Sequence, residues 1–246
     1  MQPTEVKQYY QQADVVDHYA AAADRIGLWC SEEKVFQRLF KVDDSILELG
    51  CGTGRIAFGL HRLGYRKVFA TDVSRKMVGR GRAMADSLGK EVAFGVQDAR
   101  ALTFGDAVFD GVIFGFNGLM QIPGRENRRQ ALREIARVLR PSARFVFTGH
   151  DRQADKRQSY WKEERKLWRS GRQDSRLDDF GDVIGDTPFG EMFIHVPIRE
   201  EIEEDLRVSG LELEVDALRS QLANEPAVVR QFSDECRFYV ARKPGS

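Results

Sequence analysis

The chain is poor in the features that mark secreted, membrane-spanning or polyanion-binding proteins. Its three cysteines, Cys30, Cys51 and Cys236, are too few and too scattered for a disulfide framework or a CxxC metal site. They read as reduced thiols. No apolar run approaches the ~18 residues of a membrane-spanning helix, and no charged-then-apolar leader precedes a small-residue cleavage site. These absences predict a soluble, cytoplasmic protein. Net charge is absent too, because 38 Lys plus Arg balance 38 Asp plus Glu. That balance argues neither for nor against a nucleic-acid partner. Repeats and low-complexity tracts are also missing. What is present is 42% hydrophobic over 246 residues, enough for one large domain or a core with an added subdomain.

The apolar residues are grouped as short runs separated by helical patterns. Segments 45–49, 67–72, 91–98, 109–116 and 144–150 are nearly continuous apolar runs, as expected of strands covered on both faces. Between the last two, Leu132, Ile135, Ala136 and Leu139 recur at helical spacing, with Pro141 as the expected stop. Before the third run, Ser74 can cap a helix carrying Met77, Met84 and Leu88, and Gly89 stands where a C-terminal cap belongs. Alternating strands and helices predict a parallel α/β sheet. Residues 4–40 look helical, with Ser31 as a second cap. After residue 150 the alternation breaks. A basic amphipathic stretch with Tyr160, Trp161, Leu167 and Trp168 precedes a pair of short strands around residues 182–196. A helix opened by Pro197 and closed by Gly210 follows. Two strands, 211–218 and 235–242, end the chain.

One junction carries chemistry. The first run enters "ELGCGTGR", with glycine at 50, 52 and 54, and a helix begins at once. Glycine admits positive φ and close approach of a ligand, and the free N–H groups of a helix start point into such a loop. The loop is therefore a cradle for polar or anionic groups, or else a plain tight turn. A dinucleotide fingerprint would place its third glycine at position 55, which is Arg55. Glu48, two residues before Gly50, would repel a pyrophosphate but attract an ammonium group.

This GxGxG spacing with a preceding acid resembles motif I of the class I S-adenosylmethionine-dependent methyltransferases. Further positions resemble that family in order over residues 43–150. Asp72 ends the second strand and, by the resemblance, holds the ribose diol, although it could also cap the next helix. Val73 and Met77 would pack on the adenine, or serve as core. Asp98 would meet the adenine amino group and the N–H of Ala99 a ring nitrogen, the alternative for Asp98 being a turn. Pro141-Ser142-Ala143 replaces the family's usual Pro-Gly-Gly turn. The resemblance implies S-adenosyl-L-methionine as cofactor, S-adenosyl-L-homocysteine as product, and no metal. It also implies a seven-stranded, mostly parallel sheet of order 3-2-1-4-5-7-6 with helices on both faces. The chain would then divide into an N-terminal helical cap (1–40), the cofactor-binding core (41–150), a lid or substrate insertion (151–197), and the C-terminal part of the core sheet (198–246).

The expected cofactor site comprises Tyr19, Glu48, Gly50, Cys51, Gly52, Gly54, Asp72, Val73, Met77, Asp98, Ala99 and Phe116. Methyl transfer from a sulfonium is an in-line displacement, so alignment does much of the work and a general base is optional. The candidates facing the acceptor are Asn117, His150 and His195, a structural role being the commoner reading of a lone histidine. Asn117 sits where glycine N-methyltransferases carry an asparagine, which hints at an amine or other small-metabolite acceptor. Tyr9 and Tyr10 are further candidates for the cofactor's methionine part. Residues 151–176 hold nine Lys or Arg against five acids, and 177–216 hold two against thirteen. The first stretch suits an amphipathic lid or an RNA-binding edge; the second opposes a polyanion across that face. The expected function is methyl transfer to an N or O nucleophile of a small molecule. An RNA (tRNA) methyltransferase and a non-catalytic S-adenosylmethionine-binding regulator stand as alternatives, and a nicotinamide oxidoreductase is disfavoured by Arg55 and Glu48.

Overall fold

A computed structural model describes all residues except Asp155 and Ser246. Three helices come first: α1 (Pro3–Tyr9), α2 (Ala13–Arg25) and α3 (Cys30–Leu39). Strands and helices then alternate: β1 (Ile46–Leu49), α4 (Arg55–Arg62), β2 (Val68–Asp72), α5 (Arg75–Ser87), β3 (Ala93–Val96) and β4 (Phe109–Phe114). A 3-10 turn at Gly118–Gln121 leads to α6 (Arg125–Val138) and the long strand β5 (Leu139–Gly149). The remainder is α7 (Gln158–Arg169), β6 (Asp182–Thr187), β7 (Gly190–His195), α8 (Arg199–Val208), β8 (Glu212–Leu218), the short helices α9 (Arg219–Leu222) and α10 (Ala227–Phe232), and β9 (Arg237–Arg242).

Seven strands form one sheet in the order β3-β2-β1-β4-β5-β9-β8, and β6 and β7 form a separate antiparallel hairpin. Counted within the large sheet, this is the order 3-2-1-4-5-7-6, with only the seventh strand running antiparallel to its neighbours. All four residues of β1 are buried, as a central strand covered on both faces requires. Its side chains alternate between two cores. Ile46 joins Phe36, Leu60 and Val78 on one face, and Leu47 and Leu49 join Leu132, Ile135 and Leu206 on the other. Each such buried aliphatic side chain contributes roughly 1.5–3 kcal/mol. The sheet is thereby held rigid between two helix layers, and its carboxyl edge presents the loops.

Several sequence expectations are corrected at element ends. β3 covers only Ala93–Val96, and β4 stops at Phe114 because Phe116 and Asn117 turn left-handed, at φ 49° and 60°. α6 ends at Val138, before Pro141, because Leu139 already pairs with Phe109 in the ladder. Ser142 then takes φ 64°, the left-handed turn that glycine would otherwise supply. Ser74 caps α5 by accepting from the Met77 N–H at 3.3 Å. Ser31 does not cap α3; it lies inside the helix with its hydroxyl buried and unpaired. The carboxylate of Glu225 instead accepts the N–H groups of Cys30 and Ser31 at 2.9 Å each, while Glu32 takes that of Trp29.

Candidate active site

A cleft opens where β1, β2, β3 and β4 end, the usual ligand position of an open α/β sheet. Its floor is the loop after β1. Gly50, Gly52 and Gly54 all take positive φ. At Gly50 an added Cβ would lie 2.7 Å from the Phe114 ring, so the loop can pass over that ring only without a side chain. At Gly52 a Cβ would meet nothing within 4 Å, so the missing side chain leaves open cradle in the cleft wall. Gly54 does not line the cleft; it starts α4 and packs against Phe94.

Glu48 lines this cleft while only 2% exposed, and its Oε2 has no hydrogen-bond partner. Burial pushes its carboxyl well above the ordinary 4.5, with Arg55 pulling the other way. Buried polar atoms are almost always paired, so this oxygen marks a place for a donor. The neighbouring Thr53 hydroxyl, also on the lining, is unpaired as well. Asp72 lies at the next strand end. Its two oxygens accept the N–H groups of Gly52 at 2.9 Å and Ser74 at 2.7 Å, so it pins the loop while facing the cleft. Burial raises its pKa and these backbone donors oppose that rise. Asp98 lies beyond β3, where its carboxylate grips the Arg100 guanidinium at 2.7 and 3.0 Å and accepts the Arg100 N–H at 2.9 Å. Burial alone would raise its pKa, but the Arg100 contacts outweigh burial and hold it below the ordinary value. The turn role and the cleft position thus coexist in Asp98. Val73, Met77, Ala99, Cys51, Phe116 and Tyr19 also line the cleft.

The three acceptor candidates fall elsewhere. His150 is half-buried with both ring nitrogens engaged, Nδ1 at 2.9 Å from the Glu235 carbonyl and Nε2 at 3.2 Å from the Asn117 amide nitrogen. It ties β5 to the segment before β9 and does not line the cleft. Asn117 is buried beneath its loop and likewise does not line the cleft. His195 lies in a second cavity, bound to Asp182 at 2.8 Å and 3.5 Å from Glu201, where it fastens the base of the hairpin. α7 packs by Trp161 and Trp168 against Phe180 and contributes nothing to the cleft lining. The cap over the cleft is N-terminal instead: Pro3, Val6, Lys7 and Tyr10 from α1 and its end join Tyr19 and Ala22 from α2.

Of these α1 residues Tyr10 is a candidate from the sequence; Pro3, Val6 and Lys7 are not, nor are Arg100 and Phe232 at the end of α10, all on the lining. Sequence reading also did not find the clasp of Arg55, whose guanidinium makes two 2.6 Å bonds to Glu32 and lies 4.8 Å over the Trp29 ring. The departure from glycine at position 55 was the available signal. The partner 23 residues upstream had none.

Comparison with known proteins agrees with the geometry. A family model described as "Methyltransferase domain" matches residues 46–142. Methyltransferase GfsG of Streptomyces halstedii is 32% identical over 142 residues, covering 56% of this chain and 48% of that protein. The 27-O-demethylrifamycin SV methyltransferase of Amycolatopsis mediterranei is 30% identical over 161 residues, covering 59% and 58%. This chain therefore spans about half the length of the curated relatives it matches. A solved S-adenosylmethionine-dependent methyltransferase from Methanosarcina mazei superposes with a TM-score of 0.70 at 19% identity, covering 90% of this chain and all of that one, a likeness of fold. Residues 46–142 thus match a methyltransferase domain, and they sit in a fold shared with class I S-adenosylmethionine-dependent methyltransferases. The cofactor of this domain is S-adenosylmethionine, and the unpaired Glu48 oxygen and the open cradle at Gly52 fit its ammonium-bearing methionine part.

Proposed function

We propose that the chain transfers the methyl group of S-adenosylmethionine to an oxygen or nitrogen nucleophile of a small molecule. The observation that carries this reading is the buried Glu48 carboxylate on the cleft lining with one oxygen unpaired. An ammonium group satisfies that oxygen and a pyrophosphate does not. Glu48 then holds the amino group, and the glycine loop leaves room for the rest of the amino-acid part, its Cys51 and Gly52 N–H groups being held by the Thr71 carbonyl and Asp72. Asp72 takes the ribose diol on its remaining lone pairs. Asp98 and the Ala99 N–H hold the adenine between Val73 and Met77, with Tyr19 and Phe116 closing the methionine end. Bound there, the cofactor supplies an electrophilic methyl. The protein's part is to align the acceptor ~3–3.5 Å from that carbon and exclude water, which can supply several kcal/mol.

Titration calorimetry tests the first half: S-adenosylmethionine and S-adenosylhomocysteine bind, and NADH does not. Incubation with labelled cofactor and a metabolite extract, followed by mass spectrometry, tests the second. Tight NADH binding without affinity for either sulfur nucleoside would overturn the reading. Label appearing only in RNA would replace the small-molecule acceptor with a nucleic acid.

A further inference from the structure

The cleft continues outward into a group of five rings, of which Tyr19 and Phe116 alone also have a cofactor role. His18 and Tyr19 come from α2, Phe116 from the loop after β4, Phe189 from the turn between β6 and β7, and Phe232 from the end of α10. Their centroids are close: His18 to Phe189 5.3 Å, His18 to Phe232 5.8 Å, Phe116 to Phe232 5.2 Å, Tyr19 to Phe116 6.1 Å. The His18–Phe232 and Phe116–Phe232 pairs are stacked, at 22° and 25°. His18 is exposed and the other four are half-buried, so the rings form a surface and not a sealed core. Tyr19, Phe116 and Phe232 line the cofactor cleft as well, which makes that surface continuous with the chamber.

We propose that this cluster is the acceptor site, that it takes a flat molecule bearing an aromatic hydroxyl, and that His18 accepts the hydroxyl proton. This rests on the methyltransferase reading above. Stacked, half-exposed rings favour a planar apolar partner. The rings in contact with His18 are Tyr19 on its own helix, Phe189 on the hairpin turn and Phe232 on α10, and none carries charge at neutral pH. Tyr19 stays protonated, since burial pushes its phenol up to about 12. Of the other groups able to take a proton, Glu48 has an unpaired oxygen that the reading above gives to the cofactor's ammonium group, and the rest are committed. Asp98 holds Arg100, Asp72 holds the loop amides, and both nitrogens of His150 are engaged. Neither ring nitrogen of His18 has a hydrogen-bond partner among the described residues. Imidazole is the side chain whose charge ordinarily changes between pH 5 and 8. An aromatic hydroxyl is a weak nucleophile until its proton leaves, which is what an adjacent imidazole provides. In the step, the acceptor oxygen forms a bond to the methyl carbon. The carbon–sulfur bond breaks with its electron pair left on sulfur, and the hydroxyl proton passes to the imidazole.

The test uses the full chain saturated with S-adenosylhomocysteine and three probes: 2-naphthol, 1-aminonaphthalene and cyclohexanol. Calorimetry is expected to show 2-naphthol bound about tenfold tighter than cyclohexanol, the scale of aromatic stacking plus burial. Phe189→Ala, outside the cofactor lining, should weaken 2-naphthol about fivefold while S-adenosylhomocysteine binding is retained. With labelled S-adenosylmethionine, 2-naphthol is methylated in preference to the amine. His18→Gln keeps naphthol binding but slows transfer about 100-fold and removes the acid limb of the kcat/KM profile. Equal affinity for naphthol and cyclohexanol, bound naphthol that is never methylated, preference for the amine, or a His18→Gln enzyme at the parent rate would each overturn the proposal. Failure of the parent protein to bind S-adenosylhomocysteine would instead remove the methyltransferase reading, and naphthol affinity would still report on the rings separately.

Discussion

Glu48 is kept where a carboxylate is least comfortable. Its raised pKa means the folded protein holds the proton more tightly than the unfolded chain does. That contribution to stability is complete below the ordinary value of 4.5 and is lost as pH rises through the folded value, so at neutral pH the ligand-free protein bears a cost. Glu48→Gln should therefore melt higher than the parent at neutral pH without cofactor, while losing roughly 1.5–3 kcal/mol of S-adenosylmethionine affinity, the scale of a charged hydrogen bond. Paired thermal melts and calorimetry check this, and a Gln variant that binds the cofactor with unchanged affinity would refute the ammonium role. Cofactor affinity of the parent should fall as pH drops through the raised Glu48 value, and this acid-side loss should flatten in the variant. Asp72 has a different balance because it also holds the Gly52 and Ser74 amides. Asp72→Ala should lose ~1–3 kcal/mol of cofactor binding and some stability together. Asp72→Asn separates them, since its amide oxygen can still accept from one of the two amides. These residues were readable because their positions are fixed by backbone spacing at strand ends. His18 and Arg55 were not, because their partners lie in elements far along the chain. His195 stayed open between an acceptor and a structural reading for a related reason: no spacing shows that Asp182 will stand opposite it in the hairpin register.

Elements were legible in proportion to their apolar periodicity. The five core strands, the three helices between them and the separate hairpin follow from runs and repeats long enough to read. α9 and α10 do not, being four and six residues long. Isolated helices that short are unstable in water, and tertiary contacts hold them here. Leu222, Val229 and Phe232 pack into the core beside Trp29, and the Arg219 N–H donates to the Cys236 carbonyl at 2.8 Å. The segment between the two short helices returns a benefit to α3 through Glu225. Glu225→Ala removes the acceptor of two helix-start N–H groups and should cost about 0.5–2 kcal/mol of stability, the range of lost N-caps. Chemical denaturation is the measurement, and Glu225→Gln, which keeps an acceptor oxygen, should recover part of the loss. An Ala variant as stable as the parent would show that water replaces the carboxylate at no cost.

At the scale of the whole molecule, the question is whether the basic stretch after β5 is a surface for a polyanion. The fold brings it against the acidic stretch that follows. Arg152 bonds Glu201 at 2.7 Å, and Arg176 bonds Glu191 at 2.7 Å. Arg152 and Arg165 also lie over the Phe180 ring at 4.6 and 5.0 Å. Much of the positive charge is thus spent inside the chain, where counterion release to a nucleic acid would need it free. A protein making six or more phosphate contacts loses about 10³–10⁵ in affinity between ~50 and ~200 mM salt. For this neutral chain, filter binding with bulk tRNA should show weak retention at low salt and no slope of that size. S-adenosylhomocysteine at about 100 times its Kd should meanwhile stabilise the fold by roughly 2.7 kcal/mol at either salt concentration. Tight tRNA binding that collapses steeply with salt, and disappears when Lys162, Arg165 and Lys166 on α7 are changed together to glutamine, would reverse the argument. It would show that the pairs seen along this insertion open to release their cations, and that the acceptor is carried on RNA.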